Sequence, residues 1–507
     1  MTELSRRDLI RLSAAGIVAI PVLARANSAV ALDRVRKPGN LKMLRRAVKG
    51  QLLTAKNKAF DAASDPFDIY ANFGPPKAVL KAANASDVSQ GISYARRAKL
   101  PLAVKSGGHN YAGYSTTSGI LISVGSMDQI VVDAKAQKVT VGAGAHLVNV
   151  YNALSAQGQM IPAGTCPTVG VGGHVFGGGF GLSARKFGLL SDNLLSAKIV
   201  LASGRIVTAS ARKNPDLFWA IRGGGGGNFG YATEFTFHTE PVGALSLFKL
   251  QYSWASGRAA FDAWQQMIPA MPDELTTGFA LLNNAVGTSD PGAMGAQVYG
   301  LFHGASADLS ALIAPVLKAA GAPMLQTLQD TTFMEQAFYF GGCDSLEACQ
   351  ITPGGDVAGY DYYAKSSYAN SVYSQQGIET VFSAVENWPG TSKNCMIESF
   401  AYGGAVNRVP SKSTAFPHRG QLFCNQYGVV FGPEDSPSTR KDAVSWLSSL
   451  DSQMSAFNTG EAYVNYIDGE QANWAKAYYA GNLSRLKRVK RKYDPDNVFD
   501  FAQAIPT

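Results

Sequence analysis

The sequence predicts an α+β fold with two domains, in which an antiparallel sheet follows a region of short strands and helices. The chain has 507 residues, which is more than one ordinary core contains. Residues 76–108 predict strand, helix and strand, whereas alternating apolar stretches from about residue 245 predict antiparallel strands. The composition is 46% hydrophobic and 16% charged, as in globular proteins, and its one excess is 53 glycines.

The first half of the chain is built from short elements. Residues 33–62 carry charged and apolar residues at helical spacing, and Asp87 is expected in the cap region of the helix within 76–108. Further elements are expected as strands at 120–127 and 138–144 and as a helix near 146–157. Residues 225–230, GGGNFG, satisfy the dinucleotide-binding spacing, but the strand-like YATEFTF follows instead of a helix. We therefore reject a Rossmann nucleotide site.

The second half predicts a sheet with helices between its strands. The expected strands are 247–254, 296–304, 395–402 and 423–431, and the expected helices include 258–268 and 306–320. Such a sheet would form a second layer beside the elements of the first half.

The N-terminus resembles an export signal. The segment SRRDLIR at 5–11 contains the pair Arg6-Arg7, a short apolar run occupies 12–24, and Ala24 and Ala26 suit a signal peptidase. A twin-arginine pair directs export of folded proteins, which would allow a cofactor to be inserted first. The alternatives are an ordinary secretory signal or an amphipathic helix. The run is too short to span a bilayer, and we expect a periplasmic or secreted protein without stable membrane association.

The formal charge of +8 does not predict a nucleic-acid partner, because no basic stripe with interleaved aromatic residues accompanies it. The densest basic cluster, 485–492, is interpreted as the solvent-facing side of a helix.

Five cysteines allow two disulfides beside one cysteine that serves another purpose. The pair Cys343–Cys349 encloses a short loop, and Cys395 and Cys424 lie on two strand-like runs. Both pairs could close in an oxidising compartment, although buried free thiols are equally ordinary for the second pair.

Two glycine-rich motifs carry the strongest functional signal. The segment SGGHN at 106–110 presents His109, and AGTCPTVGVGGHVFGGGFG at 163–181 presents Cys166. Dense glycine lets main-chain N–H groups approach a large anionic ligand, since no Cβ stands in the way. The two motifs predict a cofactor that is gripped by its phosphates and covalently attached at its reactive end.

At these residues the chain resembles the flavoprotein oxidases related to vanillyl-alcohol oxidase, in the berberine-bridge-enzyme-like branch. The resemblance continues through 188–207, 214–237, 400–409, 463–468 and 493–499, and it spans roughly residues 65–505. Glucooligosaccharide oxidase and aclacinomycin oxidoreductase are similar proteins of this branch. The resemblance implies a PCMH-type FAD-binding domain and a substrate domain whose antiparallel sheet is covered by helices.

The implied segments are an export signal at 1–26, an N-terminal helical segment at 27–64, the FAD-binding domain at 65–245, the substrate-binding domain at 246–455, and a berberine-like segment at 456–507 that returns to the FAD-binding domain.

The resemblance also implies that FAD is attached twice, to His109 through its 8α-methyl group and to Cys166 through C6. The remaining cofactor-binding residues implied by the two loops and the tail are Ser106, Gly107, Gly108, Asn110, Gly164, Thr165, Gly172, Gly173, Gly177 and Asn465. Val169 corresponds to the family position over the C4a edge of the flavin, where a small valine admits dioxygen.

The resemblance indicates Tyr466 as the catalytic base. Strand geometry in YVNYID would send Tyr463 and Asn465 to one face and Tyr466 to the other, and Glu398 or Tyr402 is expected to orient the base. Tyrosine has an ordinary pKa near 10, so it acts as a base only where its surroundings stabilise the phenolate.

Other candidate residues are assigned weaker roles. The segment GYDYYAKSSY at 359–368, with Lys365, Ser366 and Ser367, resembles a loop that stacks on sugars or phenols, and it equally suits a packed turn. His174 and His418 are interpreted as structural, bonding to buried carbonyls. No metal site is expected, because the six histidines lack ligand spacing.

The function predicted from the sequence is oxidation of an alcohol carbon, a sugar hydroxyl or hemiacetal, with dioxygen reduced to hydrogen peroxide. Two other enzymatic functions remain: oxidation or oxidative cyclisation of a phenolic or alkaloid-like substrate, and dehydrogenation with an acceptor other than oxygen. A flavin-carrying protein without turnover is a further alternative, against which His109, Cys166 and Tyr466 all count.

Overall fold

The structure is a computed structural model that describes residues 41–71, 74–284, 293–350 and 360–507. The predicted signal at 1–26, with Arg6 and Arg7, lies outside these ranges. Residues 41–507 cluster as one unit. Across the described ranges, no helix has the length and apolarity needed to cross a membrane.

The first sheet has four strands in the order β1-β2-β4-β3, which are Gln51–Leu53 (β1), Ala78–Lys81 (β2), Leu102–Lys105 (β3) and Ile120–Ser123 (β4). Strand β4 pairs in parallel with β2 and β3, while β1 is antiparallel to β2. Helix Ala85–Ala98 connects β2 to β3, as predicted, and Asn84 caps it by accepting a hydrogen bond from the N–H of Asp87. The segment 27–64, predicted to be helical, also contributes β1, because its apolar residues Leu52 and Leu53 pair with the edge of this sheet.

The second sheet is antiparallel, in the order β5-β6-β10-β8-β9, with strands Ile130–Asp133 (β5), Lys138–Gly142 (β6), Leu194–Val200 (β8), Ile206–Ser210 (β9) and Tyr231–His238 (β10). Strand β10 directly follows GGGNFG, which agrees with the rejection of a Rossmann site. The short strands Gln159–Met160 (β7) and Glu240–Pro241 (β11) form a separate pair.

The third sheet has seven antiparallel strands in the order β15-β12-β14-β13-β17-β18-β16. They are Leu245–Ser253 (β12), Leu275–Asn283 (β13), Met294–Phe302 (β14), Leu325–Thr331 (β15), Tyr362–Ala369 (β16), Asn394–Ala401 (β17) and Phe423–Val430 (β18). In β17 alternate residues are buried, so one set packs on helices while Met396, Glu398 and Phe400 face a cavity.

The α-helices of the described residues are Leu41–Ala47, Phe60–Ser64, Ala85–Ala98, Leu147–Ser155, Val171–Phe176, Ala184–Phe187, Pro215–Ala220, Trp254–Met267, Ser306–Ala320, Phe333–Gly341, Leu346–Gln350, Gln375–Glu386, Gly404–Arg408, Pro437–Met454, Trp474–Tyr479 and Leu483–Tyr493. Short 3₁₀ turns occupy Ile268–Ala270, Val464–Tyr466 and Ala480–Asn482.

Two large cores hold these layers together. One joins the first two sheets to residues after 460, which include Val464, Tyr478 and Leu486. The other packs helices against one face of the seven-stranded sheet, for example through Trp264 and Phe382. The chain is thus an α+β protein whose C-terminal residues pack with its first half, and the predicted fold class is confirmed.

The cysteines follow the prediction only in part. Cys343 and Cys349 form a disulfide, but Cys395 and Cys424 are buried free thiols, so the second predicted pairing is wrong. Strands β17 and β18 are neighbours, as expected, yet their register places Cys395 opposite Val429 and Cys424 opposite Phe400. The two sulfurs are therefore separated along the strands, beyond the reach of a disulfide.

The basic cluster at 485–492 forms part of helix Leu483–Tyr493, as predicted, with Leu486 and Val489 buried. Lys490 is the exception on this helix, because it is fully buried and paired with Asp494.

Candidate active site

A cavity of about 940 Å³ lies between the two glycine-rich loops and the seven-stranded sheet. This volume is at the upper end of the range for ligand and cofactor sites. All but two of the predicted site residues line the cavity; the exceptions are Gly177 and Tyr402.

The first loop follows strand β3 and presents His109 to the cavity. Gly108 adopts a φ of +79°, which a residue with a Cβ rarely takes, and its carbonyl accepts a hydrogen bond from the N–H of Phe67. The Phe67 ring stacks on the His109 imidazole at a centroid distance of 3.6 Å. Burial lowers the pKa of His109 to about 3, so the ring is neutral near pH 7.

Asn110 closes this loop by a local turn. Its side-chain oxygen accepts hydrogen bonds from the N–H groups of Ala112 and Tyr114. Its amide oxygen is therefore used to shape the loop, while the residue still lines the cavity.

The second loop presents Cys166 in a tight turn, in which the N–H of Val169 donates to the Cys166 carbonyl. The N–H groups of Leu147 and Val148 donate to the carbonyls of Val169 and Pro167, which anchors the turn on helix Leu147–Ser155. The Cys166 side chain is open to the cavity although protein surrounds it, and burial raises the pKa of its thiol to about 11.

The two loops touch through glycine. A side chain at Gly107 would collide with the main chain of Gly170, and one at Gly170 would collide with Ser106. These glycines therefore permit loop–loop packing, which brings the Thr168 hydroxyl oxygen to 3.0 Å from His109 Nε2.

His174 stabilises the loop that contains Cys166 by a hydrogen bond to its main chain. Its Nε2 accepts a hydrogen bond from the N–H of Gly164 at 3.0 Å, whereas the sequence suggested that it bonds to a carbonyl. Asn465 donates to the His174 carbonyl at 2.9 Å, and a side chain at Gly177 would overlap Asn465. Gly177 thus makes room for Asn465 rather than for a ligand, which corrects its predicted role.

Glu398 reaches the cavity from β17. Burial raises the pKa of its carboxyl group, and the hydroxyl of Tyr299 opposes that shift by donating to Glu398 Oε1 at 2.8 Å. Gln426 lies opposite Glu398 on β18 and donates to the Tyr111 hydroxyl at 3.1 Å.

The segment that contains Tyr463 and Tyr466 forms a 3₁₀ turn, so the predicted strand with alternating faces is wrong. Both tyrosines line the cavity, and their rings meet edge to face at 5.0 Å. The Tyr463 hydroxyl accepts hydrogen bonds from the N–H groups of Gly179 and Phe180 and from the Asn465 amide. Tyr463 therefore holds the glycine-rich loop, while the Tyr466 ring stacks towards Tyr111 at 6.1 Å.

The surroundings of Tyr466 keep its phenol neutral. Burial raises its pKa well above the usual range, and the ionisable groups that contribute, Tyr111, Cys424, Tyr463 and Glu398, all add to the rise. Tyr466 can thus donate a hydrogen bond through its phenol, but a phenolate at this position is unfavourable.

Tyr402 does not orient Tyr466 in the way that the sequence suggested. It is fully buried, stacks on Phe180 at 4.5 Å and lies 3.2 Å from the Tyr368 hydroxyl. The last residue of β17 is Ala401, so Tyr402 follows the strand and packs behind the cavity wall.

The candidate substrate loop at 359–368 belongs mainly to strand β16, from Tyr362, and residue 359 lies outside the described ranges. Lys365 turns away from the cavity and forms a buried ion pair with Asp468 at 2.7 Å. Ser366 and Ser367 also bond within the protein, so for these three residues the packed alternative holds, on a strand and not in a turn. Tyr360 and Tyr362 do line the cavity.

His418 is structural, as predicted, because its Nδ1 lies 2.7 Å from Glu461 and its Nε2 lies 3.2 Å from the Tyr478 carbonyl. Among the described residues, no group of three or more His, Cys, Asp or Glu side chains is placed to hold a metal ion.

Four further residues line the cavity that the sequence did not indicate, namely Phe67, Tyr111, Thr168 and Gln426. Tyr299, which the sequence also did not indicate, acts from behind the wall by donating to Glu398. The sequence could have indicated Thr168 and Tyr111, because Thr168 lies inside the second glycine motif and Tyr111 directly follows the first. Gln426 and Tyr299 carry no local signal, because only strand pairing brings them to the site.

The cavity suits a flat anionic cofactor. A side chain built on Gly173 or Gly226, which both line the cavity, would meet nothing within 4 Å, so main chain faces open space at both positions. A neutral imidazole and a thiol open to the same space are the groups that FAD attachment would require.

Comparison with known proteins agrees with this fit. Residues 76–210 match the FAD binding domain family, and residues 462–506 match the family described as berberine and berberine like. The FAD-linked oxidoreductase YvdP of Bacillus subtilis is 35% identical over 443 residues, which cover 87% of this chain and 93% of YvdP. YgaK of the same organism is 32% identical over 436 residues, covering 85% and 91%.

The chain belongs to the berberine-bridge-enzyme-like FAD-linked oxidoreductases. The monolignol oxidoreductase AtBBE-like 13 of Arabidopsis thaliana is another relative, 29% identical over 458 residues that cover 85% of this chain and 84% of the relative. This berberine-bridge-enzyme-like protein is thus an FAD-dependent oxidoreductase with a PCMH-type fold.

Solved structures of the same family superimpose over most of the chain. BBE-like 1 of Physcomitrella patens has a TM-score of 0.84 and 28% identity, covering 92% of this chain and 99% of that one. The xylooligosaccharide oxidase of Myceliophthora thermophila, solved with xylobiose, has a TM-score of 0.79 and 27% identity, covering 92% and 98%. A chitooligosaccharide oxidase has a TM-score of 0.79 and 25% identity, covering 92% and 99%.

Proposed function

We propose that this protein is an exported oxidase that carries doubly attached FAD and oxidises an alcohol carbon, a sugar hydroxyl or hemiacetal, with release of hydrogen peroxide. The observation that carries the proposal is that His109, Cys166, Tyr466 and Glu398 line one cavity. Bound FAD would accept a hydride from the substrate carbon and pass its electrons to dioxygen.

The chain itself must remove the hydroxyl proton. Tyr466 is neutral and can form a hydrogen bond with the substrate hydroxyl. Burial raises the pKa of the Glu398 carboxyl group towards the pH at which the enzyme works, and a general base is most effective when its pKa lies near that pH. We assign contact with the hydroxyl to Tyr466 and final acceptance of the proton to Glu398. This division modifies the role of Tyr466, which the sequence alone predicted to be the base.

His109 and Cys166 would hold the cofactor at two points. Both side chains face the cavity, and the Phe67 ring fixes the plane of the imidazole. If the attachment is double, denatured protein stays yellow and one FAD bridges the two peptides in mass spectrometry. Complete release of FAD into the acid supernatant would refute attachment.

A sugar substrate is supported by the polar groups at the sheet end of the cavity, where Glu398, Gln426 and Tyr466 offer hydrogen bonds beside aromatic rings. Two of the structural relatives are named as oxidases of oligosaccharides, namely of xylooligosaccharides and of chitooligosaccharides.

A phenolic alcohol is the second candidate. Phe340, Phe400, Tyr360, Tyr362 and Met396 line the cavity and would surround an aromatic ring with apolar contacts. A carboxylate base such as Glu398 also suits this chemistry, and a monolignol oxidoreductase is among the relatives.

The proposal is tested by screening oligosaccharides and aromatic alcohols for peroxide release, followed by anaerobic stopped-flow of flavin reduction. Glu398→Gln should slow flavin reduction by about 10²–10⁴-fold, because general-base catalysis contributes that much. Tyr466→Phe should also slow flavin reduction, because the hydroxyl assigned to contact the substrate is lost. The matched control is Tyr252→Phe, since the buried Tyr252 hydroxyl has no hydrogen-bond partner among the residues that the structure describes. Near-parent reduction rates in both site variants would refute these assignments.

A further inference from the structure

Thr168 lies between the two side chains that are proposed to attach the flavin. Its hydroxyl oxygen is 3.0 Å from His109 Nε2. It stands two residues after Cys166, in the turn that the N–H of Val169 closes on the Cys166 carbonyl, and its backbone and hydroxyl lower the pKa of the Cys166 thiol against the larger effect of burial. Thr168 is 3% exposed, so these contacts are made away from bulk solvent.

The position of Thr168 is fixed from both sides. It belongs to the turn that the N–H of Val169 closes on the Cys166 carbonyl. The loop that contains His109 packs against this turn, because Gly107 and Gly170 allow the two main chains to approach closely. A single side chain can therefore contact groups that are far apart in the sequence.

The one hydrogen of the hydroxyl couples these two contacts. A hydroxyl that donates to the Cys166 sulfur can only accept from His109 Nε2, which must then carry a hydrogen. The Thr168 backbone raises the pKa of the His109 ring against the larger effect of burial, which is the direction expected when a carbonyl accepts a hydrogen from the ring, so a hydrogen on Nε2 suits the Thr168 hydroxyl and the Thr168 backbone alike. The neutral imidazole then has its lone pair on Nδ1.

We propose that Thr168 is the positioning residue for flavin attachment: its hydroxyl donates to Cys166 and accepts from His109 Nε2, which makes the thiolate less costly to form and leaves Nδ1 as the attacking nitrogen. The Phe67 ring, stacked on the imidazole, restricts rotation of the His109 ring. The inference rests on the proposed double attachment and adds the residue that controls it.

The attachment reactions balance with dioxygen as the oxidant. At each point a carbon–hydrogen bond of the flavin and the N–H or S–H bond of the protein are replaced by one carbon–nitrogen or carbon–sulfur bond. Each attachment thus releases two protons and two electrons, which reduce one dioxygen to hydrogen peroxide.

The test compares Thr168→Val, which keeps the shape and removes the hydroxyl, with Thr168→Ser, which keeps the hydroxyl. Full-length protein produced under riboflavin limitation is incubated with FAD in air, and samples are quenched in acid. Peptide mass spectrometry then follows flavin on the His109 peptide and on the Cys166 peptide separately. The readout is the rate of each attachment and requires no turnover.

We expect Thr168→Val to slow attachment at Cys166 about tenfold or more, because a hydrogen bond to a charged group is lost. Attachment at His109 should slow as well, and Thr168→Ser should restore both rates. Thr276→Val is the matched control, since the buried Thr276 hydroxyl has no hydrogen-bond partner within the described ranges, and this variant should attach flavin at the parent rate.

Parent rates at both peptides in Thr168→Val would overturn the role of Thr168 and leave double attachment standing. Loss of all FAD from acid-treated parent protein would overturn both. If Thr168→Val does not fold, the pair Thr168→Ala and Thr168→Ser decides, and equal attachment rates in that pair would overturn the proposal.

Discussion

Replacing Lys490 should destabilise the protein far more than replacing Lys492 on the same helix. Lys490 is 0% exposed, and its ammonium donates to Asp494 Oδ2 at 2.7 Å, to the Phe499 carbonyl at 2.7 Å and to the Asn228 carbonyl at 3.0 Å. Asn228 and Phe499 both line the cavity. This one side chain therefore joins the C-terminal segment to the wall of the cavity.

The perturbation is Lys490→Met, which keeps the apolar stem and removes the charge. It leaves the Asp494 carboxylate buried with two backbone N–H donors, from Val498 at 2.7 Å and Phe499 at 2.9 Å, and without a cation. Removing one partner of a buried ion pair costs about 3–5 kcal/mol. Two carbonyls also lose a donor, so we expect the free energy of unfolding to fall by at least about 3 kcal/mol.

Lys492→Met is the matched control. Lys492 pairs with Asp216 at 2.6 Å, but its side chain is 61% exposed, and exposed pairs contribute about 0–1 kcal/mol. The assay is urea unfolding followed by circular dichroism on parent and variant proteins with equal FAD content. A Lys490→Met cost below about 1 kcal/mol, or equal costs for both variants, would refute the argument from burial.

Three further predictions concern chemistry and export. Val169→Leu should slow reoxidation of the flavin by air in stopped flow while leaving anaerobic reduction near the parent rate; equal oxygen reactivity would make Val169 a packing residue only. Tyr299→Phe should move the rising limb of the pH–rate profile to higher pH by about one to two units. Glu398 must be ionised to accept a proton, and the lost hydrogen bond stabilises the charged form by about 1.5–3 kcal/mol, so its removal raises the pKa of Glu398. An unshifted limb would mean that another group titrates. Replacing Arg6 and Arg7 with lysine should retain flavin-loaded protein in the cytoplasm by cell fractionation, and normal export would favour an ordinary secretory signal.

Local sequence was sufficient for much of the fold. Hydrophobic periodicity gave the strand, helix and strand of 76–108 and the principal strands of the seven-stranded sheet, because alternation and capping act within a few residues. The two glycine motifs likewise placed His109 and Cys166 on loops that meet, since glycine is required wherever main chain approaches main chain so closely.

The sequence by itself therefore determined the fold class, the family and the two loops of the flavin site. Only the tertiary structure decided that Tyr466 stands in a 3₁₀ turn, where its buried surroundings keep the phenol neutral. It also decided that Glu398 faces the cavity and that Lys365 does not. Strand register also decided that Cys395 and Cys424 stay apart, and burial turned Lys490 inward on an otherwise basic helix face. The physical reason is the same in each case: register, burial and the charges around a group depend on residues from distant parts of the chain, which no local pattern specifies.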